Sequence, residues 1–123
     1  MSERDEMAAL LRTAREELRN RLMPGLAGEA RYLAAMVANS LAIAARMLER
    51  GEETAAAERR ALAALYGAEG ADLSLATLRR RLARDIREGR FDGVREEELR
   101  AALAARVRAR LAIDDPSRLR SRG

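Results

Sequence analysis

Hydrophobic positions are densest between Ala27 and Arg50, AGEARYLAAMVANSLAIAARMLER, a segment with no charge from Tyr32 to Ala45 and no helix breaker in that run. At 100° per residue, Leu33, Met36, Val37, Ser40, Ala44, Met47 and Leu48 fall on one broad face, with Ala34, Ala35, Ala38, Ala42 and Ala45 opposite. A helix that is apolar all round is enclosed by neighbours, and alanine lets backbones approach closely. The pattern therefore predicts a central helix over about 27–50, its large side chains buried and other helices tight against its alanine face. Gly51 predicts its end as a left-handed cap.

On either side the period of 3.6 residues recurs. Met7, Leu10, Leu11, Ala14, Leu18 and Leu22 form one stripe of a helix from Glu3 to Leu22, with Glu3, Asp5 and Glu6 at its positive end. Met23, Pro24 and Gly25 break it. After Gly51 an alanine-rich helix is expected from about Glu53 to Tyr66, with Ala57, Ala61, Leu62, Leu65 and Tyr66 inward and Gly67 closing it. Asp72 or Ser74 can cap a helix reaching Glu88, whose inner stripe is Leu75, Leu78, Leu82 and Ile86. Phe91, the only phenylalanine, is expected to plug the end of the core. A last helix opens at Val94, places Glu96, Glu97 and Glu98 in its first turn, and runs through Leu99, Leu103, Val107 and Leu111 to a stop at Pro116. The expectation is an all-α fold: one compact bundle of about five helices in a single domain, residues 1–116, with a mobile basic tail at 117–123.

Composition narrows the chemistry. Apolar residues make up 48% of the chain but aromatics only 2%, so the core must be built mainly from Leu, Ala and Met, and further burial in a homo-oligomer is compatible with so thin a core. All 24 basic residues are arginine; lysine, histidine and cysteine are absent. Serine and cysteine triads, Schiff-base lysines and disulfides are thereby excluded. A helical di-iron site needs Glu-x-x-His pairs, and the acids at Glu16, Glu17 and Glu96 to Glu98 splay around their helices, so no metal is expected. No glycine-rich phosphate loop is present and no cofactor is expected. The chain reads as no enzyme. Acids near the N-terminus argue against a secretory signal, giving a cytoplasmic location by default, and the uncharged run is shorter than the roughly 20 residues that span a bilayer.

Two groups of residues could still carry function. Tyr32, Asn39 and Arg46 recur every seven residues along one edge of the central helix, and Asp114 and Asp115 could join them. One reading is a polar network that docks the last helix, with Asp114 paired to an arginine such as Arg46 and Asp115 capping a turn that begins at Pro116. The other is a ligand-binding edge, with Arg46 for an anion and Asn39 for orientation. The second group is Arg80, Arg84 and Arg87, flanked by Arg79, Arg81 and Arg90. Such a face can hold phosphates of nucleic acid or of a cofactor such as coenzyme A. Asp85 and Glu88 interrupt it and no stacking aromatics accompany it, so a solvated face is the plainer reading. A net charge of +4 supports weak nonspecific attraction to nucleic acid and no sequence reading.

The segments ARYLAAMVANSLAIAARMLERG, LARDIREGRFDG and RARLAIDDPSRL together resemble a bacterial all-helical family of domains of unknown function, DUF6285. Members of that family are encoded beside, or fused to, kinases resembling aminoglycoside phosphotransferases, often near acyl-CoA dehydrogenases. Asp115 stands where the family pattern has asparagine, which keeps the capping ability and adds a charge. The resemblance implies no activity of its own. It implies a non-catalytic accessory module that partners such a kinase or dehydrogenase. The alternative is a small-ligand binder holding an acyl-CoA or a phosphorylated intermediate at the Asn39 and Arg46 edge, and weak nonspecific nucleic-acid binding is third.

Overall fold

The computed structural model describes residues 1–120, and among these the secondary structure is entirely helical, as the periodicity predicts. Helix α1, Glu3–Glu17, opens with a reciprocal cap. The Ser2 hydroxyl accepts from the Asp5 amide at 3.1 Å, and the Asp5 carboxylate accepts from the Ser2 amide at 3.1 Å. A wider π turn, Leu18–Leu22, follows α1, and a short 3-10 turn, Met23–Gly25, holds Pro24 where its missing amide proton costs nothing. Helix α2 is Gly28–Tyr66, α3 is Leu75–Arg87, α4 is Glu96–Asp114 and α5 is Ser117–Arg120. The Ser74 hydroxyl caps α3 by accepting from the Thr77 amide at 3.2 Å. Residues 117–120, expected as part of a mobile tail, form the single turn of α5; the rest of that tail lies outside the described residues.

Two expectations are corrected. Gly51 does not end the central helix: the segments read as two helices, about 27–50 and 53–66, are one helix of 39 residues. A glycine terminates a helix when it turns to positive φ, and Gly51 is not among the glycines that do so. Its neighbours Arg50, Glu52 and Glu53 are good helix formers, so the chain bears the cost of one interior glycine and continues. Gly67, at φ 57°, is the glycine that ends α2.

The second correction concerns which face of α2 is inside. The alanine face is buried, with Ala34, Ala38, Ala42 and Ala45 all 9% exposed or less, while Leu33, Met36, Val37 and Met47 are more than half exposed. The chain divides into two compact units, residues 1–52 and the residues from 53 on. In the first, α1 is tied to α2 by Arg12 to Glu49 at 2.8 Å and Arg4 to Glu52 at 3.3 Å. Ala8, buried, lies between those two arginines, so the small-residue faces are the ones that meet. The small side chains of this segment are inside and its large ones outside. The stripe of α1 is likewise only partly covered, Met7, Leu10 and Leu22 remaining exposed.

The second unit has large side chains inside. Leu62 and Leu65 of α2, Leu78 and Leu82 of α3, Phe91 of the following loop and Ala102 of α4 form one buried cluster, with Leu73, Leu75, Leu99 and Leu103 packed around it. Phe91 thus sits in the core, whereas Ile86 and Val107 of the expected stripes are exposed. Arg59 ties the segment between α2 and α3 by donating to the carbonyls of Leu73, at 3.0 Å, and Ala71.

The two glycines separate cap from interior. Gly51→Ala meets open space and is expected to raise stability by about 0.5–1 kcal/mol, while Gly67→Ala, forced to positive φ, lowers it by about 1 kcal/mol. Denaturant unfolding measures both. A loss of stability in Gly51→Ala would mean that the residue acts as a cap.

Candidate functional site

The leucine spacing that joins α2 to α3 carries two acids into the interior. Glu58 lies four residues before Leu62, and Asp85 three after Leu82, so each falls on the inner stripe of its helix. They are the two buried charged residues of the described chain, at 3% and 4% exposure. A carboxylate in that position must be met by hydrogen bonds and counter-charge.

Glu58 is met by a fork. Arg79 of α3 donates Nε to Oε2 at 2.8 Å and Nη2 to Oε1 at 2.6 Å, and Arg106 of α4 places its Nε at 3.8 Å. The paired hydrogen bonds hold the Arg79 guanidinium above its ordinary pKa.

Asp85 is met by a ring. Tyr66, in the last turn of α2, donates its hydroxyl to Oδ2 at 2.7 Å, and the Nε atoms of Arg81, Arg84 and Arg90 stand at 3.8, 3.8 and 3.6 Å. Burial, and then the hydrogen bond to Asp85, push the Tyr66 phenol up to about 12. Arg81 stacks over the Tyr66 ring at 4.2 Å and reaches Glu69 at 2.6 Å; Phe91 meets the same ring edge-on, at 6.3 Å and 72°. Arg95 lies over Phe91 at 5.2 Å and donates to the Leu65 carbonyl at 2.6 Å, satisfying an acceptor that the end of α2 leaves open. It also pairs with Glu98 at 2.8 Å, and that hydrogen bond lowers the Glu98 pKa.

At neutral pH this Tyr66 is a hydrogen-bond donor and no phenolate nucleophile. The arrangement fixes helices; it does not present a nucleophile to a base. Among the described residues no group of three or more acids converges as a metal site would require. Nor is any helix long and apolar enough to cross a membrane.

The residues singled out in the sequence fall as follows. Tyr32 and Asn39 are exposed on α2 in the first unit, beside the Leu33 to Met47 stripe, and Arg46 is half-buried on the same edge. Asp114 and Asp115 are at the end of α4 in the second unit. Asp114 accepts from Arg110 at 3.0 Å. Asp115 accepts from the Ser117 hydroxyl and from Arg118 at 3.2 Å, and the contact with Ser117 lowers its pKa. These contacts hold its carboxylate against the turn that follows Pro116. Arg80, Arg84 and Arg87 are exposed on α3 and line one open groove with Leu73, Thr77 and Ala83. Tyr66, Glu58 and Asp85 were not anticipated as a network. The signal was an acid on an apolar stripe, at Leu78, Leu82, Asp85 in α3 and at Glu58, Leu62, Leu65 in α2.

Fold and interior together define an all-helical, arginine-paired domain. The chain belongs to the family described as Domain of unknown function (DUF6285), which matches residues 24–118. No curated protein and no solved structure matches it.

Two consequences of the interior can be measured. A group whose pKa is raised on folding stabilises the fold below its unfolded value, ordinarily 10.0 for this phenol, and the contribution is lost as pH rises through the folded value of about 12. In a Tyr32→Phe background, ultraviolet titration should show one phenol ionising near 12, with stability falling between pH 10 and 12; Tyr66→Phe should abolish that fall. Ionisation at the ordinary value would show that the hydrogen bond to Asp85 is not formed. Arg79→Met leaves Glu58 buried with only the distant Arg106, and should cost about 2–3 kcal/mol in denaturant unfolding. A change under about 0.5 kcal/mol would show that the buried pair with Arg79 does not hold the unit together.

Proposed function

We propose that the chain is a non-catalytic accessory module that inserts the apolar face of α2 into a groove of a partner protein. The observation that carries this reading is the exposure of Leu33, Met36, Val37 and Met47, each between 51% and 57%, along a stretch with no charge from Tyr32 to Ala45. A solvated helix carries polar residues on its outer face. Here the outer face has anchors at i, i+3, i+4 and i+14, and the intervening turns are filled by Ser40 and Ala44. The first three positions match the i, i+3, i+4 spacing with which a helix engages an apolar groove, and Met47 extends the same face.

The partner's chemistry follows from the face. It offers apolar walls and few charges, since the stripe has none to pair with. The family's resemblance-based setting points to a kinase resembling aminoglycoside phosphotransferases, or an acyl-CoA dehydrogenase, as the protein that offers it. The non-catalytic part of the reading is supported by the missing histidine, cysteine and lysine and by the protonated state of Tyr66.

Purified chain should form a stoichiometric complex with a kinase resembling aminoglycoside phosphotransferases, or with an acyl-CoA dehydrogenase, from the same cell, read by light scattering after size exclusion. Val37→Glu with Met36→Glu should weaken that complex at least a hundredfold while the helical spectrum and melting midpoint of the free chain stay within a few degrees. Wild-type binding by the double variant would overturn the face as the docking surface. Self-association of the chain alone, lost in the double variant, would assign the stripe to a second copy instead.

A further inference from the structure

Helix α3 has five arginines in 13 residues, and they divide into two sets. Arg79 is spent on Glu58, and Arg81 on Glu69 and the Tyr66 ring. Arg80, Arg84 and Arg87 face outward at i, i+4 and i+7, a spacing that places like charges above one another along one side of the helix. None of these three has a carboxylate to itself among the described residues. Arg80 donates to the Thr77 hydroxyl at 3.2 Å. Arg84 has only Asp85, at 3.8 Å, whose oxygens already serve Tyr66, Arg81 and Arg90. Arg87 makes no ion pair among the described residues.

The helix dipole accounts for cations in the last turn, at Arg84 and Arg87, but not for Arg80 above them. These three arginines line an open groove of about 570 Å³ whose other walls include Leu73, Thr77 and Ala83. The mixture of guanidinium and apolar wall is what an anion with an attached organic group requires.

We propose that this face of α3 binds a small organic diphosphate, the phosphates on Arg80, Arg84 and Arg87 and the organic part against Leu73 and Ala83. Seven residues of helix rise about 10 Å, so three guanidiniums spread along that length can engage two linked phosphates at once. A long single strand of nucleic acid is a poorer fit, because it needs aromatic platforms and the two rings in this unit, Tyr66 and Phe91, are packed against each other. The site lies within the second unit and does not depend on the docking reading.

The test is calorimetric titration of the full chain with inorganic pyrophosphate and with adenosine diphosphate, at low and at physiological salt. Both should bind one to one in the sub-millimolar range at low salt, the nucleotide at least as tightly. Arg84→Gln and Arg87→Gln should each weaken binding about tenfold, and Arg100→Gln with Arg108→Gln, a charge change on α4, should leave it within about twofold. Absence of saturation with millimolar pyrophosphate would overturn the proposal, as would equal weakening by the α4 variants, which would reduce the effect to net charge. Binding of pyrophosphate but not of the nucleotide would overturn the organic diphosphate as ligand. A long DNA duplex is titrated in parallel, and binding of the duplex alone would assign the face to polyanions and overturn the proposal equally.

Discussion

The hydrogen bond from Tyr66 to Asp85 closes the interior of the second unit, because a carboxylate taken out of water must find its partners within the chain. Its partners come from three places: Tyr66 from the end of α2, Arg81 and Arg84 from α3 itself, and Arg90 from the loop behind it. Holding Tyr66 in turn sets the ring that Arg81 covers and Phe91 abuts. Phe91 then fixes where Arg95 can stack, and Arg95 reaches back to the Leu65 carbonyl. One buried acid thereby orders the end of one helix, the face of a second and the loop leading to a third. The exclusive use of arginine matters to this. A guanidinium can stack on a ring while its edge still donates to an acid or a carbonyl, which a lysine ammonium cannot do with one fixed geometry.

Much of the architecture was legible in the sequence because helices announce themselves by period. The positions of α1, α3 and α4, the break at Pro24, the cap at Ser74 and the inward Phe91 all follow from spacing and turn chemistry. Gly51 did not, since glycine signals a cap only if its φ is positive, and that depends on whether the next residues pay more in helix or out of it. The buried face of α2 was misread for a different reason. Periodicity shows which side chains gain from leaving water, but not whether this chain supplies the surface that receives them. The two acids were readable in principle. Glu58 stands in line with Leu62 and Leu65, and Asp85 with Leu78 and Leu82, and an acid on such a stripe predicts an interior ion pair.

Helix α2 therefore has two characters. From Glu53 on, its inner side chains are leucines, and burying one of these is worth roughly 1.5–3 kcal/mol relative to exposure. In the first unit the buried apolar residues are Ala8, Ala34, Ala38, Ala42 and Ala45, each of which removes far less apolar area from water. The larger residues of the same segment, Leu33, Met36, Val37 and Met47, leave their share of that free energy unrealised. A unit so built gains stability from whatever covers its stripe, and by linkage its melting midpoint should depend on the concentration of that partner.

The arginines of α3 show the same sequence element put to two uses. Arg79 and Arg81 have acids that folding brings to them from α2 and the turn after it, at Glu58 and Glu69, and their charge is consumed in holding the unit together. Arg80, Arg84 and Arg87 have no such acid, although they lie on the same 13 residues. Residue type does not distinguish the two sets. What distinguishes them is whether a carboxylate occupies the facing position on a neighbouring element, which composition cannot reveal and which net charge conceals. Neutralising the first set leaves Glu58 buried and poorly paired, a cost in stability; neutralising Arg80, which donates only to the Thr77 hydroxyl, removes no ion pair. The charges that folding leaves without an acid on a neighbouring element are the ones that line the open groove with Leu73, Thr77 and Ala83.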